Sequence, residues 1–167
     1  IPAKNEAENL PDCISEICIK LNRHSLSYEI LVIDDGSTDD TTNVMRELIS
    51  LFPNVQCIKN HGENGFGRAV RLGLNEFTGD AVAIIMADRS DSPNDLHAYW
   101  KCLQDGYDCA FGSRFLKGSQ VHDYPLVKLI ANRFVNTMIR YAFKIKFNDV
   151  TNAFKMYKRE VIDGCKP

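Results

Sequence analysis

Two places in this 167-residue chain put carboxylates where an apolar run ends. Leu31-Val32-Ile33 leads into Asp34-Asp35-Gly36-Ser37-Thr38-Asp39, and Ala81-Val82-Ala83-Ile84-Ile85-Met86-Ala87 leads into Asp88 and then Asp91. Runs of this kind read as strands buried on both faces. In open α/β sheets the ligand crevice lies just beyond the carboxyl ends of such strands. Carboxylates there accept hydrogen bonds from hydroxyl and amide donors and ligate hard cations. Two acidic strand ends suggest a diphosphate held through a metal. Between them, Gly65 and Gly67 in Gly62-Glu63-Asn64-Gly65-Phe66-Gly67 permit either a tight turn or close backbone approach to a ligand.

The elements that must carry these groups alternate. Leu10, Ile14, Ile17 and Leu21 recur at helical spacing, which predicts a helix from Pro11 to about Arg23. A strand follows over about Tyr28–Ile33. Thr38-Asp39-Asp40-Thr41 supplies cap residues, with Ser37 also placed to cap, for a helix that is lined by Val44, Leu48, Ile49 and Phe52 and stops at Pro53. A short strand at Asn54–Lys59, a helix at Arg68–Phe77, the apolar strand at 81–87, a helix at about 93–104 and a strand at about 107–112 complete the series. Strand and helix in turn predict a mainly parallel sheet with helices on both faces, a three-layer α/β/α sandwich.

Length allows one well-buried core, so residues 1–167 are expected to form a single domain. Ile1-Pro2-Ala3 reads as the end of a strand whose apolar beginning lies upstream, and any extension beyond Pro167 lies outside the sequence. The six cysteines show no CxxC pair and no zinc spacing, which reads as reduced, mostly buried thiols in a cytoplasmic protein. The longest uncharged apolar run falls far short of the roughly 20 residues a membrane-spanning helix needs. Charge is divided along the chain. Residues 1–110 carry 9 Lys+Arg against 18 Asp+Glu, a net of −9, whereas residues 111–167 carry 11 against 4, a net of +7. An acidic half suits a metal, and a basic half suits an anion or an anionic surface.

Six segments in register resemble family 2 glycosyltransferases, in the branch of the dolichol-phosphate mannose synthases and their bacterial polyprenyl-phosphate relatives. They are Ile1–Leu10, the Val-Ile-Asp-Asp-Gly-Ser-Thr-Asp run, Asn64-Gly65-Phe66-Gly67, Ala87-Asp88, Gly112-Ser113-Arg114-Phe115 and Asp149–Tyr157. The resemblance implies the nucleotide-sugar-binding fold of the GT-A type. It also implies a UDP- or GDP-linked sugar as donor, contacted by Pro2, Lys4, Glu6, Asp34, Asp35, Ala87 and Asp88. Mg²⁺ or Mn²⁺ would be held by Asp88 with help from Ser90 or Asp91. The family usually carries Asp-x-Asp at this strand end, and here Met86 stands in place of the first Asp. Because a sugar-nucleotide metal takes most of its ligands from diphosphate and water, Asp88 alone could suffice. A structural Asp88 directly after seven apolar residues would leave a charge near the core without a partner.

Arg114 and Arg133 match positions where the resemblance implies a bound acceptor phosphate, and guanidinium forks suit that task. The catalytic groups are then Asp88, Arg114 and Arg133. The acceptor would be a polyprenyl phosphate, itself an anionic nucleophile, and the transfer an inverting displacement. From Pro125 to Phe147, Val127, Ile130, Phe134, Met138 and Tyr141 form an apolar stripe among Lys128, Arg133, Arg140, Lys144 and Lys146. Such a helix either lies at a bilayer interface, giving peripheral membrane contact at a cytoplasmic face, or packs its stripe on the sheet. Blander readings stand beside these. Asn5-Glu6 also suits the start of a helix, Asp34-Asp35 a solvated turn, and Arg133 a solvated helix face.

A sugar hydroxyl as acceptor would require a base, with Asp91 or Asp149 as candidates. Replacement of the first Asp by Met86 also leaves room for a binding module without turnover. A nicotinamide-binding enzyme is disfavoured, because Asn5-Glu6-Ala7-Glu8 stands where a GxGxxG turn would be. No nucleic-acid partner is expected, and the oligomeric state, base, sugar and acceptor are not fixed by the residues.

Overall fold

The structure is a computed structural model that describes residues 1–116 and 126–165. Its elements are β1 (Pro2–Ala3), α1 (Leu10–Arg23), β2 (Ile30–Asp34), α2 (Thr41–Leu51), β3 (Val55–Lys59), α3 (Phe66–Glu76), β4 (Ala81–Ile84), α4 (Asn94–Gln104), β5 (Cys109–Phe111), α5 (Leu126–Phe143), β6 (Lys155–Lys158) and α6 (Arg159–Cys165). The predicted alternation holds, and β6 and α6 are added to it. Pro125 lies outside the described residues, as does the side chain of Lys128.

Helix α1 follows from its spacing. Leu10, Ile14 and Ile17 point into the core, and Pro11 sits in the first turn, where a missing N–H leaves nothing unsatisfied. Full burial of each aliphatic side chain stabilises by about 1.5–3 kcal/mol, which fixes this helix on the sheet. Strand β2 shows why helices cover both faces. Its Ile30 and Val32 join the core cluster that includes α1 and α2, whereas Ile33 turns the other way, where Gly73 of α3 approaches it. Helix α1 touches both α2 and α4, and α3 packs on β1 and β2.

The mainly parallel expectation is borne out, with one strand, β6, running against its neighbours. Strands β1, β2 and β3 are parallel with β2 central, and Asp34 pairs with Ala3 on one side and Lys59 on the other. The second set has the order β4-β6-β5, and β6 runs antiparallel to both neighbours. Strand β6 is reached from the loop after α5 and enters between β4 and β5 from the opposite end, so those two strands keep a common direction. Among the described residues no backbone ladder joins the two sets. A cavity of about 510 Å³ lies between them, lined by Ile33, Leu74, Ala81, Ile84 and Met156 among others.

Two expectations are corrected. Strand β4 ends at Ile84, so Ile85 and Ala87 are buried in the following turn while Asp88 emerges exposed. Asp88 therefore strands no charge near the core, with or without a ligand. The cysteines are all unpaired, but only Cys13 and Cys18 are buried; Cys165 is exposed and the rest are half-buried.

Candidate functional site

The carboxyl ends of β1, β2 and β3 converge on one polar corner. Asp34 Oδ1 accepts the Ser37 N–H at 2.8 Å, closing the turn around Gly36, whose φ of +78° suits glycine. A side chain at Gly36 would also strike Asn64, with a Cβ only 2.7 Å from its Nδ2. Asp35 reaches sideways. Its Oδ1 accepts from Asn60 Nδ2 at 2.6 Å and its Oδ2 from the Gly65 N–H at 2.6 Å, so this one carboxylate holds the glycine loop in place. Both aspartates are buried, yet a carboxylate offers about four acceptor positions, which leaves capacity for a ligand's hydroxyl or amide.

The loop after β1 is fastened to the same corner. Asn5, at φ +57°, accepts the Thr38 N–H on Oδ1 at 2.8 Å, and its own N–H donates to Ser37 Oγ. Asp39 accepts from Ala7 N–H and from the Thr41 hydroxyl at 2.6 Å. The Thr41 hydroxyl bond, chief among its partners, holds the Asp39 carboxyl below the usual range. Ser37 and Thr38 thus bind one loop to another; Asp39 does so too and also accepts the N–H of Thr41, the first residue of α2, on Oδ1 at 3.0 Å, while Asp40 takes the cap position without a side-chain cap bond. Lys4 is exposed beside this corner, Glu6 is half-buried and accepts from Asn9 Nδ2, and Pro2 pairs with Ile33 inside the ladder.

The turn after β4 is held from two sides. Asp91 Oδ2 accepts the Met86 N–H at 2.9 Å, and Arg89, at φ +61°, pairs with Asp12 at 2.9 Å and Glu16 at 2.5 Å on α1. Asp88 Oδ1 accepts the Ser90 N–H at 3.0 Å, while no hydrogen-bond donor meets its Oδ2 among the described residues. Burial pushes the Asp91 carboxyl up, partly offset by the Met86 N–H. No group of three or more His, Cys, Asp or Glu suited to a metal occurs among the described residues. One free carboxylate oxygen on an exposed turn fits an ion such as Mg²⁺ or Mn²⁺ that takes most of its ligands from diphosphate and water. It does not fit one that needs an all-protein cage.

The basic side differs from expectation. The Arg114 fork, expected to grip a phosphate, grips Asp149: Nε to Oδ2 at 2.8 Å, Nη2 to Oδ1 at 2.7 Å, and backbone N–H to Oδ2 at 2.9 Å. Nη2 also donates to Thr151 Oγ1. Asn136 of α5 completes the network from below, with its Oδ1 accepting from the Val150 and Thr151 N–H groups. Burial alone would raise the Asp149 carboxyl, but the Arg114 bonds and charge hold it below the usual range. Arg114 is therefore a positioning residue for the turn that carries Phe115. Arg133 is exposed, and both guanidinium carbons lie near the Phe115 ring, at 5.7 Å for Arg114 and 5.8 Å for Arg133. The charge of Arg114 also reaches Asp91, so the acidic and basic turns are neighbours.

Sequence reasoning missed Asn60 and Asn136. Asn60 directly follows β3, the same signal that exposed Asp34, whereas Asn136 lies on the polar side of an apolar stripe and was unremarkable without the fold. It also missed why Gly112 precedes Ser113. A Cβ there would sit 2.4 Å from the Tyr99 hydroxyl and 3.2 Å from the Phe154 carbonyl. The Gly112→Ala variant is expected to lose about 1–3 kcal/mol by overpacking, read as a lowered midpoint in urea, and an unchanged midpoint would refute that crowding.

An α/β domain with polar loops gathered at its parallel strand ends and an adjacent basic turn has its ligand crevice at that end of the sheet. The particular family is shown by comparison: residues 1–165 match glycosyl transferase family 2, and the chain belongs to it. It is 34% identical over 168 aligned positions to a dolichol-phosphate mannosyltransferase of Pyrococcus furiosus, covering 99% of this chain and 47% of that protein. It is 30% identical to a polyprenol monophosphomannose synthase of Mycolicibacterium smegmatis, covering 98% of this chain and 62% of that protein. The chain thus spans about half to three fifths of these relatives. Among solved structures, the mannosyltransferase PcManGT from Pyrobaculum calidifontis, in complex with GDP-Man and Mn²⁺, aligns with a TM-score of 0.65 at 21% identity over 98% of this chain and 44% of that one. Mannosyl-3-phosphoglycerate synthase from Rubrobacter xylanophilus aligns at 0.69 and 22% identity over 96% of this chain and 52% of that one. These structures bear out the expected GT-A-type α/β fold.

Proposed function

We propose that this domain transfers a sugar from a nucleotide-diphosphate sugar to a polyprenyl phosphate, with inversion at the anomeric carbon. The observation that carries the reading is the juxtaposition of an acidic turn, Asp88 to Asp91, with a basic turn, Arg114 to Phe115 and Arg133, at one end of the sheet. The names of the relatives at 30–34% identity support it, since both act on polyprenol-type lipids by name. Asp34 and Asp35 take the nucleoside, with Pro2, Lys4, Glu6 and Ala87 bordering it. Asp88, assisted by Ser90, holds Mg²⁺ or Mn²⁺; Asp91 is committed first to the Met86 N–H. A bound metal would supply charge stabilisation of the leaving diphosphate.

The residues of the chain account for the rest. Arg133 draws the acceptor phosphate against the donor, and one phosphate oxygen forms the new bond to the anomeric carbon. The bond from that carbon to the donor diphosphate breaks, and its electron pair leaves with the diphosphate. A phosphate monoester is already anionic near neutral pH, so positioning and charge complementarity replace a general base. Asp149 is unsuited to act as a base because Arg114 occupies it. Should the acceptor be a sugar hydroxyl, Asp91, whose carboxyl is pushed up by burial, is the group left to take the proton.

The test follows the acceptor. With Arg133→Ala, use of polyprenyl phosphate should fall about 10- to 150-fold, the value of a lost charged hydrogen bond, while donor affinity stays unchanged. Lysine at this position should rescue only in part, because an ammonium lacks the fork. Better use of a neutral glycoside than of polyprenyl phosphate by the parent would refute the lipid-phosphate reading. Donor binding without turnover on any acceptor would point to a binding module instead.

A further inference from the structure

Exposure of an apolar side chain is informative where its place in the pattern would bury it. The stripe of α5 simply faces outward, Val127, Ile130, Phe134, Met138 and Tyr141 all being exposed, so it does not pack on the sheet. Phe66 is the opposite case. It opens α3 and shares the inner stripe of that helix with Ala69, Gly73 and Phe77, at intervals of three, four and four residues. Ala69 and Phe77 are buried, and a Cβ at Gly73 would touch Ile33 of β2 at 3.4 Å. Phe66 is nevertheless 50% exposed. Helix α3 packs on β1 and β2 and returns from the carboxyl end of β3, so its first turn stands level with the strand ends and has no strand beneath it. Side chains on a helix lean toward its N-terminus, which directs Phe66 away from the core and over the crevice.

The loop that carries Phe66 belongs to the Asp34-Asp35 corner. Asp35 holds the Gly65 N–H, and Asn64 lies against Gly36. Gly65 makes the turn, at φ +153°, whereas Gly67 has no left-handed angle and nothing within 4 Å of where its Cβ would stand. Among the described residues no second ring and no cation is stacked on Phe66. An unstacked aromatic face beside two carboxylate acceptors matches a nucleoside, whose flat base stacks and whose base edge and ribose offer N–H and O–H donors. We propose that Phe66 is the platform on which the base of the bound nucleotide stacks, with Gly67 keeping the space beside it open. The assignment rests on the nucleotide-sugar reading above and adds a contact indifferent to which base is present, because every base has a π-face. Choice between bases is then left to hydrogen bonds from Asp34 and Asp35.

Calorimetric titration of the full chain with UDP and with GDP, without metal, tests the platform. Phe66→Ala should weaken whichever of them the parent binds by about 5- to 150-fold, the range for one base stacked on an aromatic ring. Phe66→Leu keeps apolar bulk without a π-face and should lose nearly as much. Phe66→Trp should bind at least as well as the parent, and the introduced indole should change its fluorescence on saturation. Mn²⁺ should strengthen binding by the same factor in Phe66→Ala and in the parent, since the Asp88 turn is untouched. Thermal melts should match the parent within the range of ordinary surface changes. Full affinity in Phe66→Ala or Phe66→Leu overturns the platform and leaves the nucleotide reading standing, and so does a loss that appears only through a weakened Mn²⁺ effect. A parent that binds neither nucleotide, with or without Mn²⁺, removes the nucleotide reading and the platform with it.

Discussion

Asp149→Ala is expected to destabilise the domain by about 3–5 kcal/mol, the usual consequence of removing one partner from a buried ion pair. The Asp149 side chain is fully buried, and Arg114 meets it through Nε and Nη2 of the guanidinium and through its backbone N–H. Its removal leaves a partly buried cation without its counter-charge and frees Asn136 and Thr151 from their shared acceptor. The thermal midpoint should fall by on the order of 10 °C for a domain of this size. Asp149→Asn keeps the shape and should lose less. Acid should reproduce the effect in the parent. A carboxyl held below its usual value contributes its full stability above about pH 4 and loses it as pH falls through the depressed value. The stability difference between parent and Asp149→Asn should therefore be flat from neutral to mildly acidic pH and shrink below about pH 4. A difference that persists undiminished under strong acid, or an Asp149→Ala protein as stable as the parent, would remove the pair from its structural role.

That pair also shows what a sequence conceals. Arg114 and Asp149 lie 35 residues apart, and nothing local distinguishes an arginine aimed at a ligand from one aimed at a distant carboxylate. Helix α5 gives the complementary case. Its spacing revealed that Val127, Ile130, Phe134, Met138 and Tyr141 share a face, because period alone fixes that. Which face points inward depends on what α5 meets, and it meets Asn136's partners in a loop beyond its own end. Asp34 and Asp35 were legible because β-branched residues lead straight to them and strand direction fixes which end carries ligands. Strand β6 was not legible as a strand between β4 and β5. Lys155-Met156-Tyr157-Lys158 is short and polar at both ends, and only pairing on both sides makes it central.

The acidic and basic turns depend on each other through short links, which makes their separate tests informative. Arg114 fixes Phe115, Phe115 lies beside Arg133, and the charge of Arg114 reaches Asp91, whose carboxylate holds the Met86 N–H at the base of the Asp88 turn. A change at Arg114 or Asp149 should consequently disturb both substrates. A change at Arg133 or Asp88, each exposed at one edge, should disturb one.

Asp88→Asn should lower metal-dependent affinity for a nucleotide sugar by about 100-fold or more, given that altering groups merely behind a metal ligand already costs about 10- to 100-fold. The fold should not notice. Asp88 is exposed, and asparagine retains an Oδ1 to accept the Ser90 N–H, so the thermal midpoint should stay within the range of ordinary surface changes, about 0.5 kcal/mol. The lost oxygen charge falls on Oδ2, the atom that meets no donor among the described residues. Calorimetric titration with GDP- and UDP-sugars, each with and without Mn²⁺, separates the contributions. In the parent, Mn²⁺ should strengthen donor binding; in Asp88→Asn it should add little, and the metal-free affinity should be the same in both proteins because Asp34 and Asp35 are untouched. Ser90→Ala should produce a smaller loss, since its hydroxyl is at most an auxiliary ligand. Equal strengthening by Mn²⁺ in parent and Asp88→Asn would exclude Asp88 as the metal ligand and leave Asp91, released from the Met86 N–H, as the only other carboxylate on that turn.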